Sequence, residues 1–192
     1  MGAKSISPAN PALIAQVAAG IVAAGPDAVF YGGATQSGAG LLKAELVKRG
    51  YTGPFVGGDG IEGDPAFVEQ AGVDAASNTF ASLAAPDLST FTSGAAAQFV
   101  RDYHARYPGQ YLDGYDAKAF DAAMVLITAI KHLIGAGRGV TRAALLEQVQ
   151  HIKYAGVTGP INFDSYGDIT QGIFSIYEVQ DGMWFYQKEA SA

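Results

Sequence analysis

Two glycine-rich turns carry the side chains best suited to holding a small ligand. Residues 32–35 (GGAT) and 58–60 (GDG) each follow a short apolar run that is typical of a buried strand. Ligands of parallel α/β sheets bind beyond the carboxyl ends of the strands, where both turns are expected. The Asp59 carboxylate is suited to a cationic ligand group. The Thr35 and Ser37 hydroxyls, with nearby backbone N–H groups, suit a carboxylate. An ordinary capped strand-to-helix turn is an equally open interpretation.

Other side-chain patterns do not indicate catalysis, metal binding or nucleotide binding. The three histidines are far apart, and neither H-x-x-x-H spacing nor a G-x-S-x-G motif occurs. Residues 33–40 lack both the lysine of a phosphate-binding loop and the dinucleotide fingerprint. Asp164 and Asp168 lack the further ligands of a calcium loop. We therefore expect no catalytic residue, no metal and no cofactor.

The composition is that of a globular protein with a small-molecule ligand rather than a polyanionic partner. The chain has 192 residues, of which 49% are hydrophobic and 16% charged, with a net charge of −6 and no cysteine. The net negative charge and the lack of a basic cluster argue against nucleic acid as a partner. Disulfides and thiolate metal sites are excluded, although the cellular compartment stays open.

The elements that must position the two turns alternate between helix and strand. Helices are predicted near residues 11–24 and 37–49, where Asn10-Pro11 begins the first and Gly50 ends the second. Strands are predicted near residues 27–31, 54–58 and 79–84. Helices at 93–106, 116–133 and 141–149 follow, with Asp116 and Thr141 as N-caps. Strands at 161–163, 172–179 and 183–187 end the chain. The fold class is an α/β three-layer sandwich with a mostly parallel sheet.

Four segments in order resemble the branched-chain amino-acid (Leu/Ile/Val-binding) type of ABC-transporter substrate-binding protein. They are PDAVFYGG at 26–33, KRGYTGPFVGGDG at 48–60, YDAKAFDAAMVLITAI at 115–130 and VTGPINFDSYGD at 157–168. The resemblance implies the periplasmic-binding-protein type I fold, in which two α/β lobes close around the ligand. It also implies a site made by four residues of this chain. Asp59 would pair with the ligand's α-ammonium, Ala34 would stand where several members carry a covering aromatic residue, Tyr115 would line the side-chain end of the cleft, and Thr35 is a further candidate.

The resemblance covers only the C-terminal half to two-thirds of such a protein. It implies that residues 1–85 are the α/β core of the second lobe, that 86–155 are helices packing on the first lobe, and that 156–192 return to the second lobe. The first-lobe core, which supplies the contacts to the ligand carboxylate, would be absent. We therefore expect the truncated chain to expose apolar surface and to self-associate.

The function implied is that of a non-enzymatic, extracytoplasmic solute-binding component of an ABC transporter. Its partners would be an amino acid or related zwitterion and the membrane permease, and a periplasmic or surface location is implied although no signal peptide opens the chain. The alternative is a ligand-sensing domain of a receptor or transcriptional regulator with the same fold. The identity of the bound amino acid is left open.

Overall fold

A computed structural model describes residues 5–191, which form seven helices and seven strands. The helices are α1 (Pro11–Ala24), α2 (Ala39–Lys48), α3 (Pro65–Ala71), α4 (Val73–Ala76), α5 (Gly94–Arg106), α6 (Gly114–Gly135) and α7 (Arg142–Gln150). The strands are β1 (Val29–Tyr31), β2 (Phe55–Gly57), β3 (Thr79–Leu83), β4 (Tyr154–Gly156), β5 (Gly159–Ile161), β6 (Ile173–Gln180) and β7 (Met183–Ser191). Short 3-10 turns occupy Thr35–Ser37 and Leu88–Thr90.

The chain divides into two compact units. The first contains residues 1–83 and 175–188, and the second contains residues 84–174 and 189–192. The division falls two residues from the predicted boundary at 85, and it gives residues 156–174 to the second unit. The assignment of these segments to lobes of a larger protein stays a prediction.

The first unit is built on a five-stranded sheet of order β1-β2-β3-β6-β7. Strands β1, β2 and β3 are parallel, with Val29 opposite Phe55 and Phe55 opposite Thr79. Strand β6 runs antiparallel to β3, and Leu83 is opposite Ser175. The predicted α/β fold with a mostly parallel sheet is confirmed, and each of the three predicted parallel strands is present within its expected range.

Alternate residues of the strands build the core of the first unit. Helices α1 to α4 contribute the buried apolar side chains that pack with them. The largest buried side chains of this core are Ile14, Leu46, Phe55, Ile61, Phe67 and Val179. Phe55 lies between the rings of Tyr31 and Phe67, with ring centroids 5.9 and 6.1 Å away. This stack joins β1, β2 and α3, and therefore fixes the ends of the strands that precede the two turns.

The second unit consists of α5, α6, α7 and the β4–β5 hairpin. Val125 and Ala129 of α6 pack with Ile152 and Ile161 in a small apolar core. Asp121 of α6 is 1% exposed, and its carboxylate accepts hydrogen bonds from the hairpin turn. The long helix and the hairpin are therefore joined by apolar packing and by a buried polar anchor.

Three local predictions need correction. The cap of α6 is Asp113, whose carboxylate accepts from the N–H groups of Tyr115 and Asp116, while Asp116 supplies the reciprocal bond of a capping box. The helix predicted over 37–49 is interrupted by Gly38, whose φ of 97° lies in the left-handed region. The strand predicted at 161–163 ends at Ile161 and pairs with β4, which the sequence did not reveal.

Candidate functional site

The two glycine-rich turns meet at the carboxyl edge of the parallel strands. The Thr35 N–H donates to the carbonyl oxygen of Gly60 over 2.8 Å, which joins the turn after β1 to the turn after β2. Thr35 is fully buried, and its hydroxyl lies 3.5 Å from the same carbonyl oxygen. Thr35 therefore holds the turns together, and its N–H is already used within the protein.

Gly60 is required for this close approach. A Cβ at residue 60 would lie 2.6 Å from the carbonyl oxygen of Gly33 and 3.0 Å from the Cα of Ala34. Both neighbours are backbone atoms, which cannot rotate away as a flexible side chain does. Glycine at this position therefore brings Asp59, one residue earlier, close to the turn that carries Ala34.

Asp59 is exposed at the tip of its turn. Because β1 and β2 are parallel and adjacent, Asp59 shares an edge of the sheet with Ala34 and Thr35. An exposed carboxylate at this edge can accept hydrogen bonds from a cationic group that arrives from solvent. The structure thus brings three of the four predicted residues to one place.

The side chain of Tyr31 packs against the turn after β1. Its ring lies 3.0 Å from where a Cβ of Gly33 would stand, and its hydroxyl donates to the carbonyl oxygen of Ala34 over 3.4 Å. Burial raises the pKa of the Tyr31 hydroxyl, and a hydrogen bond with Ser37 opposes the shift. Tyr31 therefore stays a neutral hydrogen-bonding group at physiological pH. It is a supporting residue that the sequence analysis placed only in a strand.

Ala34 begins the 3-10 turn with an extended backbone, at φ −99° and ψ 160°. Its side chain is a single methyl group, so the turn presents no bulky side chain at this position. Gly38 ends the 3-10 turn and begins α2, and its N–H donates to the carbonyl oxygen of Thr35 over 2.9 Å. The backbone between β1 and α2 is thus internally hydrogen-bonded.

Tyr115 belongs to the second unit, in the first turn of α6. Its N–H donates to the Asp113 carboxylate over 2.7 Å, and its side chain is among the exposed large hydrophobic ones, at 38%. The capping box fixes the start of the helix, and therefore the backbone from which the Tyr115 ring extends. Its role in ligand binding stays a prediction.

The described part of the chain contains neither a metal-binding cluster of side chains nor a membrane-spanning helix. Within residues 5–191, no three His, Asp or Glu side chains are grouped so that they would hold a metal ion. In the same part of the chain, no helix is both long and apolar enough to span a bilayer.

Solved structures with the same fold include several bacterial solute-binding proteins. A leucine-binding protein, LivK, of Thermotoga maritima is 24% identical, with a TM-score of 0.76 over 92% of this chain and 48% of that one. The branched-chain amino-acid transporter substrate-binding protein LivJ of Streptococcus pneumoniae, solved with isoleucine, is 23% identical, with a TM-score of 0.67 over 91% and 47%. A solute-binding protein of Rhodopseudomonas palustris, solved with benzoate, is 20% identical, with a TM-score of 0.63 over 91% and 46%.

These structures share the fold of this chain, which spans about half the length of each. No curated protein sequence matches the chain. The sequence model of the periplasmic binding protein family matches residues 2–183, which is nearly the whole sequence. The chain therefore belongs to the periplasmic binding protein family.

Proposed function

We propose that this chain is part of an extracytoplasmic solute-binding protein that delivers an amino acid, or a related small zwitterion, to the permease of an ABC transporter. The proposal rests on the family match and on one geometric observation. The exposed Asp59 lies at the carboxyl edge of the sheet beside the turn that carries Ala34 and Thr35. The solved relatives bind leucine or isoleucine in two cases and benzoate in another, so the ligand of this chain stays open.

Each of the four candidate residues has a distinct role in the proposal. The Asp59 carboxylate accepts hydrogen bonds from the ligand's ammonium group as closure removes water, which strengthens a charge-assisted bond. Thr35 positions the turn through its bond to Gly60. Ala34 leaves room for the ligand side chain, and Tyr115 contributes an aromatic wall.

The chain acts by binding and not by catalysis in this proposal. Binding energy would come from the ammonium contact and from burial of the ligand's apolar side chain. The Thr35 N–H is already donated to Gly60, and we infer that the first lobe of a longer protein supplies donors for the ligand carboxylate. We therefore expect a longer protein that contains this sequence to bind an amino acid more tightly than the 192-residue chain does.

The test is isothermal titration calorimetry of such a longer protein with leucine, isoleucine, valine and benzoate. Asp59→Asn keeps the shape of the side chain and removes its charge, so we expect amino-acid affinity to fall by roughly tenfold or more. The effect on benzoate, which has no ammonium group, should be small.

Asp181→Asn is the matched control. Asp181 lies in the β6–β7 turn. Because β6 runs antiparallel to β3, this turn is at the amino ends of the parallel strands, opposite the turn that carries Asp59. The φ of Asp181, 50°, is one that asparagine tolerates. This control should bind as the unsubstituted protein does. Unchanged amino-acid affinity in the Asp59→Asn variant would remove Asp59 from the site.

A further inference from the structure

The second unit contains a cavity that is separate from the strand-edge turns. It has a volume of about 170 Å³ and opens between α6, the β4–β5 hairpin and the short bridge formed by Phe163 and Ile169. Most of its lining is apolar, and two charged residues of α6 border it. The residues that the argument uses are Lys118, Asp121, Ala122, Val125, Thr158 and Phe163.

The carboxylate of Asp121 is already occupied within the protein. One oxygen accepts from the Val157 N–H over 2.9 Å, and the other accepts from the N–H and the hydroxyl of Thr158 over 2.8 and 2.7 Å. Three donors therefore offset its charge. Asp121 builds one wall of the cavity and keeps the hairpin turn in place.

Lys118 is the charged group that the protein leaves available. It is half-buried, and within residues 5–191 its ammonium group has no hydrogen-bond partner. Burial lowers the pKa of Lys118, and the negative charge of Asp121 opposes that shift only in part. An ammonium group that has lost water without gaining a full partner is a favourable place for an anion.

The volume of the cavity sets the size of its occupant. A dry, apolar cavity of roughly 150 Å³ in another protein accommodates benzene. A cavity of about 170 Å³ lined by side chains such as Val125 and Phe163 therefore has room for one six-membered ring or a branched alkyl group. A charged head group would remain at the mouth.

We propose that this cavity binds a small apolar monocarboxylate, with its ring or branched chain against Val125 and Phe163 and its carboxylate on the Lys118 ammonium group. Every residue that lines the cavity belongs to the second unit. Binding there needs neither Asp59 nor closure of a cleft, so this site goes beyond the proposed function.

The experiment uses the 192-residue chain and three ligands of nearly equal shape: phenylacetate, 2-phenylethanol and 2-phenylethylamine. Affinities are measured by titration in two-dimensional amide NMR at pH 7, and shift changes identify the residues involved. We expect phenylacetate to bind at least tenfold more tightly than the alcohol, with the amine weakest, and the shifts to fall on α6 and the β4–β5 hairpin.

Two variant pairs test the assignment of residues. Lys118→Met keeps the side-chain stem and should remove the preference for the acid over the alcohol, whereas Lys131→Met, at an exposed lysine of the same helix, should not. Ala122→Phe should obstruct the cavity and weaken phenylacetate at least tenfold. Ala123→Phe places the same side chain at an exposed neighbouring position outside the cavity lining and should leave affinity unchanged.

Several results would overturn the proposal. These are equal affinities for the acid and the alcohol, an undiminished preference in Lys118→Met, or full affinity in Ala122→Phe. Shift changes around Asp59 in place of α6 would also overturn it. Such shifts would leave the proposed solute-binding function intact, and loss of leucine binding in an Asp59→Asn protein would leave the cavity proposal intact.

Discussion

The N–H of Thr35 and the carbonyl oxygen of Gly60, 25 residues apart in sequence, are joined by a hydrogen bond of 2.8 Å. This bond links the ends of two neighbouring parallel strands above the stacked rings of Tyr31 and Phe55. Asp59 and Ala34 are the residues immediately next to the bonded pair. The geometry of the candidate ligand site therefore depends on a backbone contact more than on any side-chain contact.

Gly60→Ala should disturb both the fold and the site. Its Cβ would stand 2.6 Å from the Gly33 carbonyl oxygen, so the turns must separate. We expect the free energy of unfolding to fall by about 1–3 kcal/mol, measured by urea denaturation. Gly58→Ala is the control, because a Cβ at residue 58 meets nothing within 4 Å. Equal stability of the two variants would show that the turns are free to separate.

Asp121→Asn should destabilise the second unit. The carboxylate accepts three hydrogen bonds from residues 157 and 158, and an amide offers only one oxygen and brings two donors of its own. Because Asp121 is buried, we expect a loss of about 2–3 kcal/mol by chemical denaturation. Asp102→Asn, at an exposed position bonded to Gln98, should cost less than about 0.5 kcal/mol. Similar losses in both variants would contradict an anchoring role for Asp121.

Lys43 should make stability depend on pH. It is 2% exposed, and burial lowers its pKa from 10.5 to about 8. Below pH 8 both the folded and the unfolded chain bind the proton, and folding bears the cost of burying a charge. Between about pH 8 and 10.5 only the unfolded chain holds it, so the lysine's contribution becomes more favourable as pH rises.

Lys43→Met should therefore raise the free energy of unfolding at pH 7 by about 1–3 kcal/mol, with a smaller gain near pH 10. Urea denaturation at the two pH values provides the measurement. Lys48→Met, at an exposed lysine of the same helix, should change stability by less than about 0.5 kcal/mol at either pH. A gain for Lys43→Met that does not vary with pH would mean that the folded and unfolded chains bind the Lys43 proton equally over this range, so that folding does not lower its pKa.

The chain is expected to self-associate through an exposed apolar stripe on α6. Phe120, Ile127 and Ile134 are seven residues apart, hence on one helix face, and are 40, 42 and 63% exposed. Ile127→Glu should shift sedimentation towards the monomer without loss of helix content. Leu146→Glu, at an exposed leucine of α7, should leave the association unchanged. A monomeric unsubstituted chain at about 100 μM would contradict this expectation, since burial of the stripe should favour association.

Local signals predicted the first unit well. Asn10 and Pro11 give the start of α1, and the Asn10 side chain does accept from the Leu13 N–H. Glu45 and Arg49, whose spacing of four residues is typical of a helix, form an ion pair at 3.3 Å. Strand β4 was missed because its three residues, Tyr154–Gly156, show no alternation long enough to distinguish a strand from a loop. Two aspartates, three residues apart, both lie near the start of α6, so local sequence does not distinguish the cap, Asp113, from Asp116.

The candidate site was only partly predictable, because its geometry depends on distant pairs. Sequence patterns placed Asp59, Ala34 and Thr35 on strand-end turns, and parallel pairing brought them to one edge. The bond from Thr35 to Gly60 could not be predicted, because it needs the register of β1 and β2. Asp121 gave no signal, since its partners at residues 157 and 158 lie more than 30 positions away. The one feature that could have drawn attention to it is a charged residue within the predominantly apolar middle of α6.

The strand order of the sheet in the first unit also determines when a nascent chain can finish assembling that sheet. Strand β3 ends at Leu83, and its antiparallel partner β6 supplies Ser175 opposite it, only after residues 84–174 of the second unit have been made. During synthesis, residues 84–174 can gather their contacts while β3 still exposes one unpaired edge. Pairing β6 with β3 closes a loop of residues 84–174, and the entropic cost of that closure is offset only once β6 has been synthesised. Until then the unpaired edge of β3 stays exposed, so we expect chaperone binding and misassembly to occur mainly there.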